Sequence, residues 1–277
     1  MTRALVLGGG GITGIAWEWG ILAGLARAGV DLGSADLVVG TSAGSVVGAQ
    51  VAAGLDADER YAAQLEPPDG EVAAAMGPAV LLRYGLAMAG PRTPKAVRAR
   101  IGRMALRANT VPEAERVAVI ESRLPVRDWP ERALLITAVD AESGEFRAFD
   151  RDSGAPLVRA VAASCAVPGV WPPVTIDGRR YVDGGMRSGS NADLAAGYDR
   201  VVVLSPLPRG IGHMTPAATQ VEALAARSRV ELVSPDRAAL AAIGRNVLDP
   251  AKRAAAARAG LAQADSVLAR IRSVWNE

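Results

Sequence analysis

The sequence predicts an α/β fold: a mostly parallel sheet with helices covering both faces. Three observations carry this. The runs Ala4-Leu5-Val6-Leu7 and Leu37-Val38-Val39 are wholly apolar, end in glycine, and each precede a helix-like stretch. Such runs suit strands buried on both sides, and short strand–helix links suit a parallel sheet. The third observation is bulk. With 277 residues, 50% of them apolar and 22% charged, the chain can bury a large core.

The elements follow in order. Gly14 to Ala28 has Ile15, Trp19, Leu22 and Leu25 at near-helical spacing, with Gly29 as a C-cap. Ser45 to Ala53 is the second helix, closed by Gly54. Residues 56–123 read as mostly helical. Asp56-x-x-Glu59 and Thr110-x-x-Glu113 resemble capping boxes, and Thr93-Pro94 puts proline at a first helical position. Val72 to Met88 carries one charge, Arg83. The sequence favours a core helix pair there over a mobile apolar cap. Ala133 to Val139 is a strand, and Ser143-Gly144 turns it into Glu145 to Phe149. Asp177-Gly178 is a two-residue hairpin turn between Pro173–Ile176 and Arg179–Val182. Val201 to Leu204 and Arg229 to Val233 are further strands. Ser234-Pro235 and Asp249-Pro250 open closing helices within 215–277. No repeat or linker divides the chain, so 1–277 reads as a single domain.

Composition excludes several functions. The 31 basic and 29 acidic side chains nearly cancel, so nucleic acid is not an expected partner despite a pI near 9.0. Cys165 is the only cysteine, which rules out an internal disulfide and fits a reducing compartment. One cysteine and one histidine, His213, make a zinc site unlikely to assemble. The uncharged run Leu37 to Leu55 is long enough to span a bilayer, but its Thr41, Ser42, Ser45, Gln50 and glycines suit a buried strand plus helix. Glycines 8 to 11 interrupt the apolar N-terminus too early for a signal peptide. A cytoplasmic protein is therefore expected, and the sequence leaves the oligomeric state open.

Chemistry concentrates at Gly40-Thr41-Ser42-Ala43-Gly44. A serine in a G-x-S-x-G turn between strand and helix is lifted above the sheet on a strained backbone. It also lies at a helix N-terminus, where developing negative charge is favoured. Acyl transfer needs amide donors for the oxyanion as well. Gly8-Gly9-Gly10-Gly11, after the first strand and before a helix, offers them. Asp183, ending a hairpin strand before Gly184 and Gly185, offers a base; a surface turn is the blander use of such an aspartate.

Together these stretches resemble the patatin-like phospholipases and lipid acyl hydrolases. The resemblance rests on Gly9 to Gly14, on Gly40 to Gly44 and on Asp183-Gly184-Gly185, in that order. It is supported by Ala163-Ser164-Cys165-Ala166-Val167-Pro168-Gly169-Val170-Trp171 and by Ile136 to Asp140 with Ser143-Gly144-Glu145. It implies a three-layer α/β/α sandwich with the nucleophile elbow after the second strand. It also implies a Ser42–Asp183 dyad cleaving lipid carboxylic esters through an acyl-serine. Backbone amides of Gly10 and Gly11, helped by Gly9, would hold the oxyanion, with no metal or organic cofactor. The substrate would be a phospholipid, lysophospholipid or other acyl ester, met with at most transient peripheral membrane contact. Thr13 stands where the family often has Arg or Lys, so that positive charge is absent here.

Three rivals remain on sequence grounds. Ser42, Asp183 and His213 occur in the order of an α/β-hydrolase triad. Gly9-x-Gly11-x-x-Gly14 fits a dinucleotide fingerprint, but Asp36 precedes the second strand instead of ending it. A non-catalytic lipid-binding relative is the third. Trp17, Trp19, Trp171 and Trp275 could anchor at a membrane or pack in the core; Trp171 is the best pocket-wall candidate.

Overall fold

Strand β1 (Arg3–Leu7) runs up the middle of the molecule and feeds α1 (Gly11–Arg27); β2 (Leu37–Gly40) lies beside it and feeds α2 (Ala43–Ala52). The computed structural model describes every residue except 68–73, 75–76, 91–92, 208–213 and 277. Four helices follow: α3 (Ala57–Leu65), α4 (Pro78–Met88), α5 (Pro94–Leu106) and α6 (Glu113–Arg123). The chain then returns to the sheet with β3 (Ala133–Asp140) and β4 (Phe146–Phe149), and crosses by α7 (Leu157–Ser164) to β5 (Val174–Ile176) and β6 (Arg179–Asp183). It ends with β7 (Arg200–Leu204), α8 (Ala217–Ala225), β8 (Arg229–Val233), α9 (Arg237–Ile243) and the long α10 (Arg253–Trp275).

Hydrogen-bonded neighbours run β5-β6-β3-β2-β1-β7-β8, with β4 also on β3. Strands β3, β2, β1, β7 and β8 are parallel, while β4, β5 and β6 pair antiparallel at the β3 end. Alternation along the central strands sorts the core into two. Leu5, Leu7, Val38, Ile136, Val202 and Leu204 face α1, α2, α7 and α10. Ala4, Val6, Leu37, Val39, Val201 and Val203 face α8 and the short turn at 192–195. That period of two produces the three-layer α/β/α sandwich. The Asp177-Gly178 turn has φ of 47° and 73°, the all-positive geometry of a tight hairpin.

Local details differ from expectation at several points. Helix α6 starts after Pro112, not at a Thr110 box. Glu113 instead accepts from the Thr175 amide and hydroxyl, each at 2.9 Å, and from Arg159, so it ties α6 to the hairpin. Asp236 rather than Ser234 caps α9. Asp56 and Thr93 cap α3 and α5 as expected. The core helix pair expected at 72–88 is not formed by its described part. Leu81, Leu82 and Leu86 of α4 are 55%, 65% and 58% exposed, and Ala87 is the only buried residue of that helix. Residues 72, 73, 75 and 76 of that stretch lie outside the described residues. Three tryptophans are core residues, not anchors. Trp17, Trp19 and Trp275 are buried, and each indole N–H finds an acceptor: Gln263, Gln50 and the Asp31 carbonyl. Among the described residues, no helix is long and apolar enough to cross a membrane.

Candidate active site

Strand pairing alone brings residues 42 and 183 together. Ile136 of β3 pairs with Gly40 of β2 and with Phe149 of β4, so β2 and β4 occupy opposite edges of β3. Ala138 and Val139 pair with both β4 and β6, so β6 shares the β2 edge and continues where β2 stops. Asp183 faces Ala138, two residues beyond the Gly40 pair, and Ser42 lies two residues beyond Gly40.

Ser42 has φ 52° and ψ −117°, a left-handed conformation costing a non-glycine residue on the order of 1–3 kcal/mol. Its backbone is clamped on both sides. The Ser42 amide donates to Ser164 Oγ at 2.9 Å. Its carbonyl accepts from Ser45 Oγ at 2.6 Å and Cys165 Sγ at 3.2 Å. Burial pushes the Cys165 thiol up to about 11, so it stays a protonated donor. A Cβ on Gly44 would collide with the Leu7 carbonyl, which explains the second elbow glycine by space. A Cβ on Gly40 would likewise meet the Gly44 carbonyl and the Ser45 Cα.

Asp183 is 5% exposed, and burial pushes its carboxyl up to about 6. Hydrogen bonds from the Ser42 hydroxyl and from the Gly185 amide, the latter at 2.7 Å, pull the other way. The Asp183 amide donates to the Ala166 carbonyl. The turn after α7 therefore grips the nucleophile elbow and the carboxylate together. Gly184 passes so close to β3 that a Cβ would strike Thr137 Oγ1. Behind both residues, Asn191 Nδ2 donates to Thr41 Oγ1 at 3.0 Å and to the Ser188 carbonyl at 3.0 Å, and Thr41 and Thr137 hydroxyls share a 2.9 Å bond. This network is fully buried and joins β2, β3 and the loop after β6.

The glycine loop crosses the same edge. A Cβ on Gly9 would sit 3.3 Å from Ser42 Cβ. The Gly9 amide is engaged by the Gly189 carbonyl at 2.7 Å. The amides of Gly10 and Gly11 donate to no acceptor among the described residues and open the N-terminus of α1. Gly11 has φ 61°, and Gly10 leaves no room for a Cβ against Pro206. Thr13 is buried, and its amide and hydroxyl both turn to the Val247 carbonyl. Beneath the loop, Glu18 is fully buried, and both carboxyl oxygens lack a partner among the described residues. Burial raises its pKa far above the ordinary range. The nearby Gly8 amide opposes this only in part, being committed to the Leu204 carbonyl.

A pocket opens at Ser42, walled by Ile12, Ile15, Val167, Trp171 and Leu248 together with Arg116 and Arg123 of α6. The Arg116 guanidinium lies 4.0 Å from the Trp171 ring centroid and is itself buried. Trp171 thus takes the expected place. The two arginines were not singled out from sequence; their i, i+7 spacing puts them on one helix face, but nothing local says what that face meets. In the sequence, Ser164 stands out only within the Ala163 to Trp171 stretch that supports the resemblance. Tyr84 of α4 donates to the Pro168 carbonyl at 3.0 Å and stands near enough for the Asp183 charge to raise its pKa further after burial; no local sequence signal marks it. His213 lies outside the described residues.

The family model for patatin-like phospholipase matches residues 5–196. No curated protein matches the sequence. Among solved structures, VipD from Legionella pneumophila is similar at 12% identity with a TM-score of 0.47, over 97% of this chain and 67% of VipD. The type III effector protein ExoU is similar at 16% identity with a TM-score of 0.46, over 98% of this chain and 53% of ExoU. The family match spans more than half of the chain, from β1 past the glycine loop, the Ser42 elbow and Asp183, and so the chain belongs to the patatin-like phospholipase family.

Proposed function

We propose that this protein hydrolyses carboxylic esters of lipids, as a phospholipase A-type enzyme, through a dyad of Ser42 and Asp183. The observation that carries the reading is a strained serine set beside a buried carboxyl that burial raises to about 6. A base poised near neutrality can take the serine proton without a histidine. Ser42 Oγ attacks the ester carbonyl carbon as Asp183 accepts its proton. The carbonyl oxygen becomes an oxyanion facing the Gly10 and Gly11 amides at the head of α1. Collapse breaks the C–O bond to the alcohol, which takes the proton from Asp183 and leaves an acyl-serine. Water then attacks the acyl carbon, giving its proton to Asp183. Release of the fatty acid returns that proton to Ser42.

The pocket walls are apolar, as an acyl chain requires, and the cavity of about 30 Å³ has to widen to admit one. Arg116 and Arg123 in the same wall suit a negatively charged head group, and they bring to this pocket the positive charge that Thr13 does not carry. The Gly9 amide, bonded to Gly189, leaves Gly9 the role of clearing space beside Ser42. The chain works as one hydrolase domain, with 56–123 a mostly helical insertion or cap and 215–277 the closing helices.

The test is labelling with a fluorophosphonate, followed by turnover of a phospholipid, lysophospholipid and monoacyl ester panel. Wild type should label and turn over. Ser42→Ala should do neither, and Asp183→Asn should lose about a hundred- to ten-thousandfold in rate. His213→Ala should stay within a few-fold of wild type. Turnover by Ser42→Ala at the wild-type rate ends this reading. Collapse of activity in a folded His213→Ala variant replaces the dyad with a triad.

A further inference from the structure

We propose that the outer face of α4 and the arginine row of α5 form a docking surface for an anionic phospholipid membrane. The first observation is apolar. Leu81, Leu82 and Leu86 stand out from a helix whose only charge is Arg83, and all three are more than half exposed. Three neighbouring leucines presented to water by one helix make a patch of the kind that marks a contact surface.

The second observation is charge. Arg100 and Arg103 of α5 and Arg107 at its C-cap repeat at three- and four-residue spacing along one face. With Arg83 they line a groove floored by Leu86 and Met104, and among the described residues no carboxylate lines it. Arg100 donates to the Ala89 carbonyl at 2.6 Å and Arg103 to the Glu142 carbonyl at 3.0 Å. Among the described residues, none of the four guanidiniums pairs with an acid. The whole chain is nearly neutral, 31 basic against 29 acidic side chains, so this concentration is local.

Leucines beside unneutralised arginines define the occupant. A free phosphate would use the guanidiniums and ignore the leucines. An apolar peptide would use the leucines and leave four charges unanswered. An anionic bilayer uses both, taking the leucines below the head groups and pairing the arginines with phosphates. The orientation is productive for the site as well. The inner face of α4 carries Tyr84, bonded to Pro168, and Val80, whose methyl groups approach Gly169. A membrane seated on the outer face therefore lies against the wall beside Asp183. This deepens the hydrolase reading by naming the surface that meets the lipid, but the binding itself does not depend on catalysis.

The experiment is co-sedimentation of full-length Ser42→Ala protein with vesicles of phosphatidylcholine alone or mixed with phosphatidylglycerol. Mixed vesicles should bind the protein and neutral ones should not, with binding weakened by added salt. The combined variant Arg100→Ala, Arg103→Ala, Arg107→Ala should weaken partitioning on the order of a hundredfold, about fivefold per arginine. Leu81→Ser, Leu82→Ser, Leu86→Ser should weaken it at least about tenfold even at low salt. Both variants should keep the parental melting temperature, since the altered side chains are exposed. Equal binding to both vesicle types overturns the proposal. So does wild-type binding by either variant; a loss confined to the arginine variant marks a soluble-anion groove instead. Intact vesicle binding with no lipid turnover in the wild-type protein would strike the catalytic reading and leave this one standing.

Discussion

The Ser42 elbow and helix α4 lie close together and are built on opposite terms. The elbow is buried and strained, and every backbone group of Ser42 is held by a named partner. Helix α4 is exposed and unstrained, and it touches the molecule through one narrow inner face. Under the proposed hydrolase reading and the proposed membrane contact, the difference follows from what each would meet. A nucleophile held off the allowed backbone regions persists only if its surroundings over-determine it. A surface that meets an aggregate of lipid must remain outside the core, and so it can contribute little to stability.

The sharpest way to break the comparison is one small substitution in each region. Gly44→Ala puts a methyl group into the Leu7 carbonyl, and neither backbone can retreat without moving a central strand. It should cost about 3 kcal/mol or more. Leu82→Ser should change stability by no more than the scatter expected of surface changes, about 0.5 kcal/mol. Thermal unfolding of the two variants beside wild type checks both values. Similar losses from both would mean that α4 is part of the cooperative core.

The second prediction turns the rigid region against itself. Burial raises Asp183 from 3.8 to about 6, so its ionised form destabilises the fold. An acid raised on folding holds its proton in the native state between those values while the unfolded chain releases it. Stability therefore falls as pH rises from about 3.8 through 6 and is flat above. Asp183→Asn keeps an acceptor for the Gly185 amide and removes that charge. It should stabilise the protein at pH 7 by up to about 3 kcal/mol, and by almost nothing below pH 3.8. The proposed dyad needs the same ionisation of its base, so wild-type kcat/KM should rise with pH through about 6 and then level. Chemical denaturation at both pH values, with the rate profile, reads the trade directly. Destabilisation at pH 7 would show that the charge is compensated by groups other than Ser42 and Gly185.

Much of the rigid region was legible in the sequence, and much of the exposed region was not. Leu37-Val38-Val39 running into Gly40-x-Ser42-x-Gly44 is a local signal: apolar run, missing side chains, helix start. Asp177-Gly178 is equally local, and it correctly set the hairpin that delivers Asp183. What the sequence could not show is the handover on β3, where β6 takes the edge that β2 leaves. That depends on pairing between residues more than 40 apart. Composition also misled over 72–88. An apolar run with one arginine reads as core by hydropathy, yet three of its leucines face water. Hydropathy measures what a residue would gain by burial, and it is blind to whether a partner face exists. Glu113 shows the same limit. Its spacing from Thr110 suggested a cap, while its carboxylate serves Thr175 across the fold.

The smallest expected effect tests how the strain at Ser42 is held. Ser164 Oγ accepts the Ser42 amide and is itself buried, so Ser164→Ala leaves that N–H without a partner. The stability cost should be about 1 kcal/mol, the usual result of orphaning one buried donor. If Ser164 acts only as structure, kcat and KM should be unaffected. If it positions the nucleophile, relaxation of the Ser42 backbone moves Oγ relative to Asp183 and to the Gly10 and Gly11 amides. Rate then falls in kcat, by about tenfold, while KM stays because the pocket walls come from Ile12, Ile15, Val167 and Leu248. Ser164→Thr, which keeps the acceptor, should recover most of the lost rate. Steady-state kinetics on a monoacyl ester separates the cases. A change confined to KM, or no recovery in the threonine variant with its fold intact, would assign the clamp to the Cys165 and Ser45 bonds on the Ser42 carbonyl.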